Sequence, residues 1–419
     1  MASKIRIGIV VLSAFVACYA IAGGFPWDRG ATAKGNQWAQ LRIFDEVLFH
    51  INRDYVDEPD MERVRTGALR GLAEGLDPYS AYLTPAQAAG YKPVEPGMHE
   101  VGGMALSKYG GYVYVVSVLA GSPADKAGIA TGDVLEYIAK APTRDMSLYD
   151  AEMLLTDKKN EPLEIKLVRA GQAGTATFVN GPVTVPAVAT KLEDGGIGYV
   201  DVPALSTGKA AEIRAAVEQL TAKGAKKIVL DLRGSAVCTL QEGAAVANLF
   251  VDQGVLARKV GRGGADAGVI QAVPDATVFR GPLTVLVDES TAGAAEVVAS
   301  AVLAARRGDV VGERSFGAGV ELSLFSLRDG GAMLITTMKY APPAGKPFVE
   351  EGVTPTVVVK QQTAEVVVPD ETDEDQPADP NAPEAKDAKP LPRPKPVEDV
   401  QLKKALELLR GNAAAAKAA

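Results

Sequence analysis

Two apolar runs, KKIVLDLRG at 226–234 and PLTVLVD at 282–288, constrain the second half of this chain more than any other feature. Each is short, rich in valine and leucine, and gives way to a turn of small residues before a helical pattern starts. Such runs predict buried strands. GIGYVDV at 196–202 predicts another, followed by a helix over 208–223, and a further helix through QEGAAVANLF at 241–250 lies between the two runs. Strands alternating with helices predict an α/β core of βαβ units, with chemistry at the C-terminal ends of the strands. The second run leads into DESTAGAAEVVASAV at 288–302, where Ala295, Val298, Ala299 and Val302 share one helical face. In hydrolases, a strand–turn–helix corner of this kind exposes a nucleophile beside a helix N-terminus that stabilises negative charge.

The remainder of the 419 residues leaves room for further domains. LRIFDEVLFHINRDYV predicts a helix with Leu41, Phe44, Leu48, Ile51 and Tyr55 on one stripe. A second helix over 60–75 would turn Met61, Val64, Ala68, Leu69 and Leu72 inward, and GLDPYSAYLTPAQ at 75–87 reads as a turn broken by Pro78 and Pro85. Together these make an N-terminal helical region at 36–95. Residues 97–172 read as a compact β-rich module with an amphipathic helix at SLYDAEMLL. A core at 190–360 follows, then an acidic, proline-rich linker at 363–396 and a short helix at 397–411 with Leu402, Leu406 and Leu409 on one side and Gly411 as its cap. That helix has either a partner or its own body to dock on.

Charge and cysteine usage narrow the function classes. Residues 363–400 hold eleven acidic and four basic residues, so that stretch accounts for most of the net charge of −8. The rest is near neutral, and no basic stripe points to nucleic acid. Lys4 and Arg6 precede an apolar run from Ile7 to Phe25, which fits either a signal segment, with a small-residue site at Ala20–Ile21–Ala22, or an N-terminal anchor in the inner membrane. Both place the bulk of the chain outside the cytoplasm, in the periplasm or cell envelope. Cys18 and Cys238 form no disulfide framework, and Cys238 reads as a buried small hydrophobe. No Cys/His cluster suggests a metal, and DETDED at 370–375 reads as solvated linker. GRGGADAG at 261–268 and GERSFGAG at 312–319 are glycine turns without the context of a phosphate cradle, so no cofactor is expected.

The module resembles a PDZ domain through Ser122–Pro123–Ala124, Ala127–Gly128–Ile129 and Gly132–Asp133. That likeness implies a loop, VGGMAL, whose Gly102, Gly103 and Met104 would receive a peptide's C-terminal carboxylate, and a groove wall on the helix through Ala151 and Leu155. The whole order of segments, with LDPYSAYL, VLDLR, VGERSFG and TTMKYAPPAGKP, resembles the C-terminal processing (tail-specific) serine peptidases of the S41 type over residues 40–360. The resemblance implies a crotonase-like core with an inserted PDZ domain. It also implies a serine–lysine dyad with an orienting glutamine that cuts unfolded or tail-tagged proteins.

The resemblance also shows what this chain lacks. Where the family's nucleophile belongs, the sequence reads Thr291–Ala292–Gly293–Ala294–Ala295–Glu296, placing Gly293 at the nucleophile position. The base position in Phe316–Gly317–Ala318–Gly319 is Ala318, and the orienting position is Leu322. GSAVC at 234–238 replaces the family's oxyanion loop. The reading is a pseudopeptidase that binds polypeptide C-termini or unfolded proteins as adaptor, scaffold or regulator, alone, as a homo-oligomer or with an active homologous peptidase. Two alternatives stand beside it. One is a serine-type endopeptidase with catalytic groups relocated among Ser290, Thr291, Ser300, Lys339 and Lys346; the other is a structural envelope protein whose groove its own chain fills. A Ser-His-Asp triad is not available, since the two histidines, His50 and His99, lie outside the core.

Overall fold

The computed structural model describes residues 37–93, 97–98, 100–157, 160–361, 391 and 398–415. The apolar N-terminal run, Cys18, His99 and nearly all of the acidic stretch after residue 361 lie outside the described residues. Among the described residues, no helix is long and apolar enough to cross a membrane. The chain divides into two compact units, Met1–Gly67 and Ala68–Ala419.

The first unit contributes the helix Gln37–Asp54. Its expected stripe stays largely uncovered: Phe44, Leu48 and Tyr55 are exposed and Ile51 is half-buried. The next helix, Met61–Glu74, opens on Asp60, whose Oδ1 accepts the N–H groups of Glu62 and Arg63 at 3.1 and 3.0 Å. Met61 and Leu72 of its expected inward face are exposed, and the small Ala73 is buried instead.

In the second unit, SAYLTPAQ is more than a turn. Ala81–Leu83 is a fully buried strand, paired antiparallel with Ala332–Leu334. Thr84 and Gln87 then close a capping box at the start of the helix Pro85–Gly90. The β-rich module is an antiparallel sheet in the order Met104–Tyr109, Tyr112–Val118, Val134–Ile138, Pro162–Arg169 and Gln172–Val179. It runs to Val179, beyond the boundary at 172, because Ala170–Gly171 is a two-residue hairpin turn with both φ positive. The helix Leu148–Asp157 covers this sheet, with Val113, Leu135, Ile165 and Phe178 in the shared core.

The core beyond the module has the expected α/β order. Ile197–Asp201, Lys227–Asp231, Leu283–Val287, Asp309–Gly312 and Val357–Val358 form a parallel array, with Ala189–Glu193 antiparallel at one edge. Alternation along each strand sends Leu230, Val285, Val287 and Val310 into the main core, shared with the helices Lys209–Ala222, Leu240–Phe250 and Ala294–Ala304. The intervening Val229, Leu286 and Val311 face the opposite side. There the C-terminal helix Val400–Ala415 lays Ala405 and Leu409 against them, so it docks on its own body. Arg233 bridges Asp231 and Asp399 beside this contact, and Lys227 Nζ donates to the Leu409 carbonyl at 2.5 Å. Gly411 lies within the helix and does not cap it, since the alanines that follow sustain the helix. From the linker, Leu391 packs against the module at Gly174.

A second sheet joins Ala81–Leu83, Ala332–Ala341, Val255–Val260 and Asp266–Gln271, with Val320–Ser326 paired on Ala332–Ala341. The glycine run at 261–268 is the tip of its hairpin, closed by Gly261 N–H donating to the Ala265 carbonyl at 2.7 Å.

Candidate functional site

The corner after Leu283–Val287 is built by Asp288. Its Oδ1 accepts the N–H groups of Gly234 and Ser290 and the Thr291 hydroxyl, at 3.1, 3.0 and 3.1 Å. The Thr291 hydroxyl also reaches the Leu232 carbonyl at 2.9 Å, and Ser300 Oγ donates to the Val297 carbonyl at 3.2 Å. Ser290, Thr291 and Ser300 are all buried. Among the described residues, no lysine or histidine nitrogen is hydrogen-bonded to any of them, and Lys346 pairs with Glu351 at 2.7 Å.

Gly293 stands at the top of the corner with φ +59° and ψ −116°, a conformation that strains any residue with a side chain. A Cβ placed there would lie 2.8 Å from Cys238 Sγ and 3.8 Å from Met98 Cγ. The thiol is fully buried and accepts the Ala294 N–H at 3.2 Å, and burial pushes its pKa up. Cys238 is held in place by pairing of Cys238–Thr239 with Gly97–Met98. The Cys238 sulfur thus crowds the side-chain space at position 293.

Glu296 binds the corner to the loop that carries the base position. It has no exposed surface, and its carboxylate accepts four donors. Oε2 takes the N–H groups of Gly293 and Ala318, both at 2.8 Å; Oε1 takes the Gly317 N–H at 2.9 Å and the Ser315 hydroxyl. Burial pushes this carboxyl up to about 7 despite those donors. Ala318 is fully buried, and Leu322 is half-buried on the strand Val320–Ser326.

Gly293, Ala318 and Leu322 meet on one cavity of about 380 Å³. The structure brings together the three positions that the sequence resemblance assigned to one reaction. The facing wall comes from the β-rich module: Leu106 on its edge strand and Leu148, Tyr149, Glu152 and Met153 on its helix. Tyr340 also lines the cavity, and its hydroxyl donates to Glu321 Oε2 at 2.7 Å. Glu152 is the polar surprise of this wall; desolvation pushes its carboxyl up to about 7.

The residues assigned to peptide contact fall elsewhere. Ala151 and Leu155 are 0% and 1% exposed in the module's own core, because the apolar stripe of an amphipathic helix packs on its sheet. The groove wall is the adjoining face, about 100° around the helix, where Tyr149, Glu152 and Met153 line the cavity, while Leu148, on the buried stripe itself, reaches its edge. Gly102, Gly103 and Met104 are buried in a turn closed by Val101 and Met104, which exchange backbone hydrogen bonds at 2.8 and 3.1 Å. Both glycines are required by packing: a Cβ on Gly102 would lie 2.3 Å from the Phe178 ring, and one on Gly103 would lie 2.0 Å from Ser122 Cβ. The Gly103 N–H donates to Glu100 Oε2 at 2.8 Å. Cys238, Glu296 and Glu152 were not singled out as site residues from sequence. The one available signal was Glu296, a carboxylate at the third position of a helix whose start lacks a side-chain cap.

Comparison with known proteins agrees with this architecture. Residues 196–359 match the model of peptidase family S41. The chain is 29% identical over 309 residues to the carboxy-terminal processing protease CtpA of Bacillus subtilis, a match covering 73% of this chain and 66% of that protein. It is 27% identical over 336 residues to a carboxy-terminal-processing protease of Bartonella bacilliformis, covering 79% and 77%. Among solved structures, a photosystem II D1 C-terminal processing protease superposes with a TM-score of 0.63 at 27% identity, covering 78% of this chain and 87% of that one. With the α/β core, the corner and the matched segment coinciding, residues 196–359 form a peptidase family S41 domain.

Proposed function

We propose that this protein is an exported, non-cleaving member of its family that holds polypeptide segments in the cavity between its PDZ-like module and its peptidase core. One observation carries the reading: Cys238 Sγ lies 2.8 Å from where a side chain on Gly293 would begin. The nucleophile's space is packed over, and Ala318 leaves no base beside it. The cavity beneath remains, and the edge strand and helix of the module that line it suit an extended peptide. The N-terminal apolar run supports export, and the exposed Phe44, Val47 and Phe49 support association with a second copy or an active relative.

The test uses residues 26–419 and an unstructured protein. The natural chain should retain that protein without cutting it. A variant carrying Gly293→Ser, Ala318→Lys, Leu322→Gln and Cys238→Gly restores the three groups and clears the space they need. Cleavage by the natural chain, lost on Ser290→Ala, would overturn the reading. An exported portion that stays monomeric and captures no relative would end the association part alone.

A further inference from the structure

The cavity's polar groups are matched unequally. Glu321 is engaged by the Tyr340 hydroxyl at 2.7 Å and lies 3.7 Å from Lys259 Nζ. The Glu152 carboxylate, by contrast, accepts no hydrogen bond and forms no ion pair among the described residues, and it shares the cavity wall with Leu148, Met153 and Leu106. Lys92 also lines the cavity but forms no ion pair with it. A carboxylate in an apolar wall without a partner is unfavourable until something supplies a donor.

At the end of the groove where a terminal carboxylate would sit, two backbone donors are already engaged. Of its backbone donors, Gly103 N–H is held by the chain's own Glu100 carboxylate and Met104 N–H by the Val101 carbonyl, at 2.8 and 3.1 Å. The strand Met104–Tyr109 is the sheet's edge, so it can still receive an extended segment alongside.

Building on the polypeptide-holding role proposed above, we propose that the cavity selects an internal, apolar segment carrying a lysine or arginine whose cation meets Glu152. A free C-terminus is not what it recognises. Charge complementarity decides the occupant: Glu152 is an unpaired acid half-buried in the wall, whereas the cavity's cation, Lys92, is solvent-exposed and keeps its hydration without a ligand.

The experiment measures binding of fluorescent ten-residue peptides to the full chain. The peptides are acetylated and amidated, identical and apolar except for a central lysine, norleucine or glutamate, and the lysine peptide is also made with a free C-terminal carboxylate. The lysine peptide should bind about tenfold tighter than the norleucine peptide, with or without the terminal carboxylate. Glu152→Gln should bring that ratio near one, and Glu152→Lys should turn the preference toward the glutamate peptide, which a merely unfolded variant would not do. Binding without lysine preference, a preference that survives Glu152→Gln, or dependence on a free C-terminus would overturn this inference and leave polypeptide holding intact. No binding by any peptide would overturn both.

Discussion

Glu296 and Glu152 both have carboxyls pushed up to about 7 by burial, yet their surroundings differ in kind. Glu296 sits in the corner with four donors from two segments, the corner itself and the loop 315–318, converging on it. Glu152 faces a cavity with none. Burial alone therefore says little about what a carboxyl does. Where donors converge, the group is a structural tie that fixes the corner and the base-position loop in one geometry. Where they are missing, it is a group waiting for a ligand. The corner keeps this tie with glycine at position 293, so its backbone is held without a side chain there.

The sharpest way to break this comparison is to remove each carboxyl. Glu296→Ala leaves three backbone N–H groups and the Ser315 hydroxyl unsatisfied in a dry site, and should cost about 4 kcal/mol by denaturant midpoint. Glu152→Ala removes an unpaired acid and should change stability by less than about 1 kcal/mol. Equal losses would show that the two environments are energetically alike and sink the distinction.

Proton linkage gives a somewhat smaller effect. A carboxyl at about 7 in the folded state and near its ordinary value when unfolded binds more protons folded than unfolded between those limits. Its contribution is thus fully present below the unfolded value and is lost as pH rises through about 7. For Glu296 the loss should approach about 3 kcal/mol; for the partly exposed Glu152 it should be less. Unfolding free energies measured from pH 4 to 8 should fall with pH, and Glu296→Gln should flatten most of that slope. A slope unchanged by Glu296→Gln would mean that the four donors keep the carboxylate ionised at its usual range.

Much of this was legible in the sequence, for physical reasons that also mark where it stopped. The buried strands 227–231 and 283–287 announced themselves because a strand covered on both faces must be apolar throughout. The corner positions Gly293, Ala318 and Leu322 followed from the family resemblance, matched residue by residue, and meet on one cavity. What failed were assignments about faces. The stripe through Ala151 and Leu155 was read as a groove wall, but periodicity shows only that a face is apolar, not which neighbour covers it. Glu152, one residue off that stripe, was therefore overlooked. Ala81–Leu83 was hidden because three residues between prolines carry no period; their strand exists only through Ala332–Leu334, about 250 positions away. Cys238 was read as a buried small residue, and it is buried. Its contact with position 293 is tertiary and left no local trace.

That contact supplies the finest test of the locked corner. Gly293→Ala adds a methyl at φ +59° and pushes it toward Cys238 Sγ, so it should cost about 2 kcal/mol. Part of that cost is backbone strain, which no neighbour can relieve, and part is the close approach to sulfur, which a smaller neighbour can. In a Cys238→Gly background the same Gly293→Ala change should cost about 1 kcal/mol less, a coupling that a double-mutant cycle reads directly. Additive costs would mean that the thiol does not occupy the side-chain space at 293. Glycine at 293 would then be a matter of one residue's identity, with no neighbour grown into the space beside it, and serine could be placed there without touching Cys238.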